Sequence, residues 1–221
     1  MLSDSIIQLL PDLGKAFVQT LYMVGISLFA AIILGLPIGI LLFVTDKGLF
    51  LENAFTKNVL GFIVNMIRSI PFIILLVTLL PLTKLIVGST IGPTAASVSL
   101  SIAAIPFFAR LVETALREID KGVIEAAISI GATPWMIIRD VLLPEAKPGI
   151  IQGVNITAIS LVAYSAMAGT VGGGGIGDLA IRFGYYRYDN TVMFTTVIIL
   201  ICLVQIIQCG GDFIAKKVDK R

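Results

Sequence analysis

Histidine is absent from the 221 residues, and charged side chains supply only 14% of them. The first absence removes the commonest general base and metal ligand. The second falls well below the ~25% of an ordinary soluble domain. With 57% hydrophobic residues and a mean hydropathy of +1.00, a water-soluble globule of this composition would aggregate. The charges are also missing in long stretches: none lies between Lys15 and Asp46, Lys84 and Arg110, Lys147 and Asp178, or Asp189 and Asp212. Each gap exceeds the ~20 residues needed to cross a bilayer, so the sequence reads as an all-α, polytopic membrane protein. Cysteine is nearly as scarce. Cys202 and Cys209 are too few for a disulfide framework, and on one helix they stand about 10.5 Å apart, beyond the ~7 Å reach of a bridge. A formal net charge of +2 without a basic stripe gives no support to nucleic-acid binding.

Five spans are expected, at about 17–44, 59–80, 92–109, 149–171 and 191–209, in a single domain covering 1–221. An odd number of crossings puts the termini on opposite faces. With the C-terminus in the cytoplasm, eleven basic residues lie inside (Lys47, Lys57, Arg110, Arg117, Lys121, Arg139, Lys147, Lys216, Lys217, Lys220, Arg221) and four outside (Lys15, Lys84, Arg182, Arg187). The excess of positive charge on cytoplasmic loops favours that orientation, with the N-terminus outside. The N-terminal segment carries Asp4 and Asp12 with only Lys15, so it lacks the basic start of a signal peptide.

No Asp or Glu falls within the five expected spans. Proton- and sodium-coupled carriers usually place a carboxylate there, so an ion-coupling site is missing. The chain also lacks G-x-x-x-x-G-K-[ST] and cannot cradle ATP itself. Energy for any transport has to come from a partner. A membrane enzyme would need a convergent polar triad or metal cluster, and the residues for one are not there. The run Gly172 to Gly177 formally satisfies G-x-G-x-x-G, but it follows a membrane span rather than a strand. It reads as a flexible external turn that lets two helices approach.

Arg68 is the one charge inside an expected span. Snorkelling, carbonyls freed by Pro71, or a partner such as Glu113 must offset its burial, in either a structural or a substrate-related role. Pro37, Pro71 and Pro106 free the carbonyls of Ile33, Ile67 and Ile102 and mark helix breaks that line interfaces or cavities, or tolerated kinks. Gly35 and Gly39 form a small-xxx-small pair that permits close helix contact. In the fourth span Thr157, Ser160, Tyr164 and Met167 share one helical face of hydroxyls and a soft thioether. That face suits a pathway or gate, or simply packing between helices.

The largest soluble piece is the loop 110–148. Val123, Ile124, Ala127 and Ile128 make an apolar stripe that ends at Gly131 and Ala132. Thr133 is the expected N-cap, with Pro134 at the first position of a second short helix, Trp135 to Leu142, stopped by Pro144 and Pro148. Glu125 is placed near the start of the first short helix, where its charge suits the helix dipole. The product is a helix-turn-helix elbow that packs on lipid or in a groove of a partner.

Glu125-Ala126-Ala127, Gly131 and Val141-Leu142-Leu143-Pro144 match in spacing the EAA-x3-G-x9-[IV]-x-L-P signature, so the chain resembles the permeases of ABC importers. Arg68-Ser69-Ile70-Pro71-Phe72-Ile73-Ile74-Leu75-Leu76, Gly131-Ala132-Thr133-Pro134 and Tyr164-Ser165-Ala166-Met167-Ala168-Gly169 are similar to the methionine-type permeases over nearly the whole chain. The resemblance implies a cytoplasmic coupling helix between the third and fourth spans, with Glu125, Ala126, Ala127, Gly131, Ala132, Leu143 and Pro144 at an ATPase groove. It implies a homodimer in a bacterial inner membrane, two ATP-binding subunits carrying ATP and magnesium, an external substrate-binding lipoprotein and a small amino acid as substrate. Arg68, Ser160, Tyr164, Ser165 and Met167 are the candidate pathway or gate residues. The chain itself then holds no cofactor and no metal. Permeation of another small amino acid, and a scaffold subunit that docks a soluble protein, are the alternative readings.

Overall fold

The computed structural model describes the backbone of residues 2–218 and the side chains from residue 10 onward; Lys220 and Arg221 of the charge count lie outside the described residues. Helices follow one another, and no strand occurs among the described residues. Helix α1 (Leu2–Ala30) passes through a π turn (Ala31–Gly35) into α2 (Leu36–Val44). Then come α3 (Ala54–Ser69), α4 (Phe72–Thr78), α5 (Leu80–Val87) and α6 (Pro93–Arg117). Helix α7 (Lys121–Ser129) precedes α8 (Pro134–Met136), which continues through a second π turn (Ile137–Leu142) into α9 (Leu143–Gly169). Helix α10 (Gly175–Leu179), a third π turn (Ala180–Tyr185) and α11 (Asn190–Val218) complete the chain.

Four uninterrupted stretches are long and apolar enough to cross a bilayer: Leu10–Val44, Pro93–Arg117, Pro134–Gly169 and Asn190–Val218. The expected second span is α3 and α4, bent by 101° where they meet. Pro71 causes the bend, because it donates no backbone hydrogen bond and holds the residue before it out of the α region. Side-chain contacts decide that this bent pair crosses. Asp46, after the first span, pairs with Arg117 at the end of α6, so an even number of crossings separates them. Gln19 caps Gly175 through its Oε1, and the Gly92 N–H donates to the Gly172 carbonyl at 2.9 Å, which requires the same parity. The five-span expectation therefore holds.

The chain divides into two compact units. In the first (Met1–Phe29, Ile70–Ala103, Ala158–Gln208), Leu13, Ala16, Ile176, Leu179 and Val192 form a buried cluster. The glycine run there is pinned rather than flexible. The Gly173 N–H donates to Ala168, that of Gly175 to Gln19 and that of Ile176 to Thr20 Oγ1, each at 2.9 Å. Gly172, Gly174 and Gly175 have positive φ, the conformation that glycine adopts without steric cost. α9 and α10 do come close, since a Cβ on Gly169 would lie 2.6 Å from the Gly177 carbonyl carbon.

In the second unit (Ala30–Ser69, Ala104–Thr157, Cys209–Arg221) the C-terminal half of α6 is the centre, with Phe108, Ala109, Val112 and Leu116 buried. Gly39 and Gly35 pack against it as the small-xxx-small spacing predicts. A Cβ on Gly39 would stand 2.6 Å from Val112 Cβ, whereas one on Gly25 would meet nothing within 4 Å. Gly39→Val should therefore lower stability by about 1–3 kcal/mol through overpacking, and Gly25→Val should be close to neutral. Thermal midpoints in detergent check this; equal midpoints for the two variants would remove the packing argument.

Candidate functional site

The elbow is built from the two short helices after α6. Asp120 caps α7 by accepting from the Gly122 N–H at 2.7 Å. At the other end the Ala132 N–H donates to Ala127 at 3.1 Å and the Gly131 N–H to Ile128 at 2.9 Å. This paired closure, with Gly131 at φ +81°, is a Schellman stop. Thr133 then caps α8, accepting from the Met136 N–H, with Pro134 in the first turn, as the sequence predicts.

Three expectations need correction. Glu125 is the fifth residue of α7, so the dipole argument belongs to Asp120. Pro144 and Pro148 do not stop the second short helix, because the π turn shifts the hydrogen bonds by one residue, Leu143 donating to Ile138, and leaves Pro144 in the first turn of α9. The helical stretch Pro134–Gly169 is thus unbroken, and the elbow proper shrinks to the segment between α6 and α8. The apolar stripe is also split: Ile124 and Ala127 are buried, while Val123 and Ile128 are exposed. They join Ile130 at 86%, Trp135 at 67% and Met136 in an exposed apolar patch. Glu125, Ala126, Gly131 and Pro144 are exposed, Ala132 and Leu143 half-buried. Ile130, Trp135 and Met136 escape a periodicity argument, since they flank the turn instead of lying on one helix face.

Beside the elbow, in the same unit, stands an ion cluster. Glu113 is 1% exposed and lies on the part of α6 that runs past the expected span, so the absence of carboxylates applies to the expected limits and not to the whole helix. Lys57 donates to it at 2.6 Å, Arg110 at 2.6 Å and Arg117 at 2.9 Å. Arg110 also donates to Asn65 at 2.6 Å, and Arg117 reaches Asp46. Three cations permit the burial of one carboxylate. The signal in the sequence is Arg110 and Arg117 at i−3 and i+4 from Glu113. Glu113 is not the partner of Arg68, which is exposed at the end of α3. Asp46 lies in the connection after α2. Burial pushes its carboxyl up, but the hydrogen bond from Arg117, that from the Lys47 N–H, and the charges of Lys57 and Arg117 outweigh burial and hold it below its ordinary 3.8.

In the first unit Tyr164 stacks on Phe72, with ring centroids 4.5 Å apart. That contact joins two of the segments quoted above, at the start of α4 and near the end of α9. Ser165 is buried and donates to the Val162 carbonyl at 2.7 Å. Ser160 and Tyr164 are half-buried, and Met167 is 45% exposed. Thr157 is fully buried and donates to the Gly153 carbonyl at 2.7 Å, so it does not continue the open face of Ser160, Tyr164 and Met167. Among the described residues no group of His, Cys, Asp and Glu is arranged to hold a metal.

The family model for the binding-protein-dependent transport system inner membrane component matches residues 31–221. The chain belongs to this family. It is a membrane permease subunit of an ABC importer and not itself an enzyme. It is 57% identical, over 92% of its length and 90% of the relative's, to the probable D-methionine transport system permease protein MetI of Vibrio cholerae. To the methionine import system permease protein MetP of Bacillus subtilis it is 47% identical over 96% of each chain. Among solved structures, a chain of the MetNI methionine ABC transporter in inward-facing conformations matches with a TM-score of 0.95 at 47% identity, covering 96% of this chain and 99% of that one.

Glu113→Ala removes the acceptor shared by three cations, leaving Arg110 on Asn65 and Lys57 and Arg117 on Asp46, and should destabilise the permease by about 1–3 kcal/mol, read as a lowered thermal midpoint or loss of folded yield in detergent. An unchanged midpoint would overturn the anchoring role. For Asp46 the folded carboxyl titrates below the unfolded one. Its contribution is therefore present above pH 3.8 and is lost as pH falls through the lower folded value. Asp46→Asn should remove that part of the acid sensitivity, checked by midpoints measured against pH.

Proposed function

We propose that this permease imports methionine, in its D or L form or both, together with close derivatives, by alternating access. The observation that carries the substrate is the match to methionine permeases over nearly the full length, at 57% and 47% identity. In this reading two copies form a homodimer with two ATP-binding subunits, where ATP and magnesium reside, and an external binding lipoprotein delivers the substrate. The complex sits in the bacterial inner membrane with the permease N-terminus outside and its C-terminus and elbow in the cytoplasm. The basic-residue excess supports that orientation.

Coupling is assigned to Glu125, Ala126, Ala127, Gly131, Ala132, Leu143 and Pro144. The exposed patch of Val123, Ile128, Ile130, Trp135 and Met136 supports this, because it offers apolar surface for a groove on the ATP-binding subunit. The pathway is assigned to the face of Ser160, Tyr164 and Met167, with Ser165 behind it and Arg68 at the bend between α3 and α4. A face of hydroxyls and a thioether without fixed charge lets a zwitterion pass without holding it. Met167 of two copies is the apolar plug.

Reconstitution with the ATP-binding subunit and the binding protein tests the whole reading: methionine should stimulate ATP hydrolysis and ATP-driven uptake, and stimulation by a different amino acid alone would replace the substrate. In that system Gly131→Leu should lower uptake about tenfold by straining the left-handed turn, worth ~1–2 kcal/mol, while Gly131→Asn keeps most of it. Uptake unimpaired in the leucine variant would remove the coupling assignment. For topology, single cysteines at Ser129 and Ser89 in a Cys-free background should label from opposite sides of sealed vesicles; labelling from one side refutes it. Met167→Cys should crosslink two copies in one nucleotide state, and no crosslink in any state would leave Met167 a packing residue.

A further inference from the structure

Within the second unit lies a cleft of about 380 Å³ lined by Leu36, Arg139, Leu143, Pro144, Lys147 and Ile150. Four of these residues, 139, 143, 147 and 150, recur at i, i+4, i+8 and i+11 and so form one stripe of a helix. Both walls come from places where the helix is irregular. Leu36 follows the π turn Ala31–Gly35 and precedes Pro37, and Leu143 and Pro144 follow the π turn Ile137–Leu142. Between the two cations the wall is apolar.

Arg139 and Lys147 stand about 12 Å apart along the helix at 1.5 Å per residue, a gap that two long flexible side chains close onto one anion. Both are exposed. The carboxylate nearest to Arg139 is Asp140, 3.8 Å from Arg139 Nε, in a pair that is exposed on both sides; such a contact contributes little and leaves the guanidinium able to take a stronger anion. Two cations against one carboxylate leave the mouth positive. The position is near the elbow end of helical stretches that cross the membrane, where the bilayer turns from chains to headgroups and long basic side chains reach for phosphate.

We propose that this cleft holds an anionic phospholipid, its phosphate between Arg139 and Lys147 and one acyl chain against Leu36, Leu143 and Ile150. Charge complementarity selects the headgroup, and the apolar wall selects a lipid over a free anion. The proposal needs only that the chain spans a membrane, not that it carries methionine. It also gives Leu143 and Pro144, the last residues of the loop signature, a second contact, on lipid.

Native mass spectrometry of the purified full chain, in mixed micelles with equal amounts of phosphatidylglycerol and phosphatidylcholine, tests it. Wild type should retain phosphatidylglycerol preferentially. The double variant Arg139→Ala, Lys147→Ala should retain it roughly 30-fold less, at ~1 kcal/mol per basic residue, and Arg139→Lys, Lys147→Arg should keep it. Equal retention of the two lipids by wild type, unchanged retention by the alanine variant, or displacement of phosphatidylglycerol by inorganic phosphate would each overturn the site. Occupation of the cleft by a second protein copy would appear as the first of these. A measurement on the unmutated chain guards against a misfolded variant. Trp135 is the single tryptophan and lies one turn before Arg139, so brominated phosphatidylglycerol should quench it more than brominated phosphatidylcholine; equal quenching counts against the proposal.

Discussion

Every backbone amide inside a bilayer has to find its hydrogen-bond partner within the protein, and this chain meets that demand while carrying nine prolines. Some stand in the first turn of a helix or are carried within one, as Pro134 and Pro106 are; three others show two further solutions. Before Pro37 and Pro144 the helix widens into a π turn, shifts its bonds by one residue and continues. At Pro71 it does not continue: α3 ends at Ser69, whose hydroxyl donates to the Asn65 carbonyl, and α4 starts again at a different angle. A π turn places the proline in the first turn of a new helical register, where its missing N–H is least harmful. At Pro71, which no π turn precedes, the residue before proline leaves the α region and the helix bends, whereas at Pro106 and Pro148 the α-helix runs on.

The second constraint is electrostatic. A carboxylate as buried as Glu113 survives only with partners, and it has three, drawn from α3 and from both neighbouring turns of α6. The desolvation penalty of such a group rivals its Coulombic gain, so the cluster is better understood as fixing a geometry than as adding stability. It ties the start of α3 and the connection after α2 to the end of α6, and the elbow begins three residues later. A carboxylate held by three cations is also poorly placed to exchange a proton or bind sodium. That agrees with a permease subunit of an ABC importer.

Much of this was legible in the sequence, and for identifiable reasons. Gaps between charges located the spans, because charge in lipid is penalised wherever it falls. The Gly131 stop and the Thr133 cap were legible because both depend on local backbone chemistry. The span limits were not, since α6 and α9 run on beyond the apolar stretch as amphipathic helices whose ends are held by ion pairs and a π turn. Hydropathy is blind to both. The continuation through Pro144 was illegible for the same reason: a π turn has no marker in one sequence. The pinning of the glycine run was illegible as well, because it depends on Gln19 and Thr20, more than a hundred and fifty residues away.

Of the candidate pathway residues, Ser160, Tyr164 and Met167 share one helical face, the first two half-buried and Met167 exposed. Thr157 satisfied the same periodicity and failed because burial depends on neighbours that periodicity does not contain. The stretch Pro134–Gly169 is continuous. Its first turn, capped by Thr133, borders the apolar patch, and its last two turns carry Tyr164 and Met167. Trp135 is therefore joined to the residues that follow it by continuous helical backbone. The softest element on that line is the π turn Ile137–Leu142, where the bonding register is already displaced. Bending within the second unit is easiest at that point, one turn after the Thr133 cap.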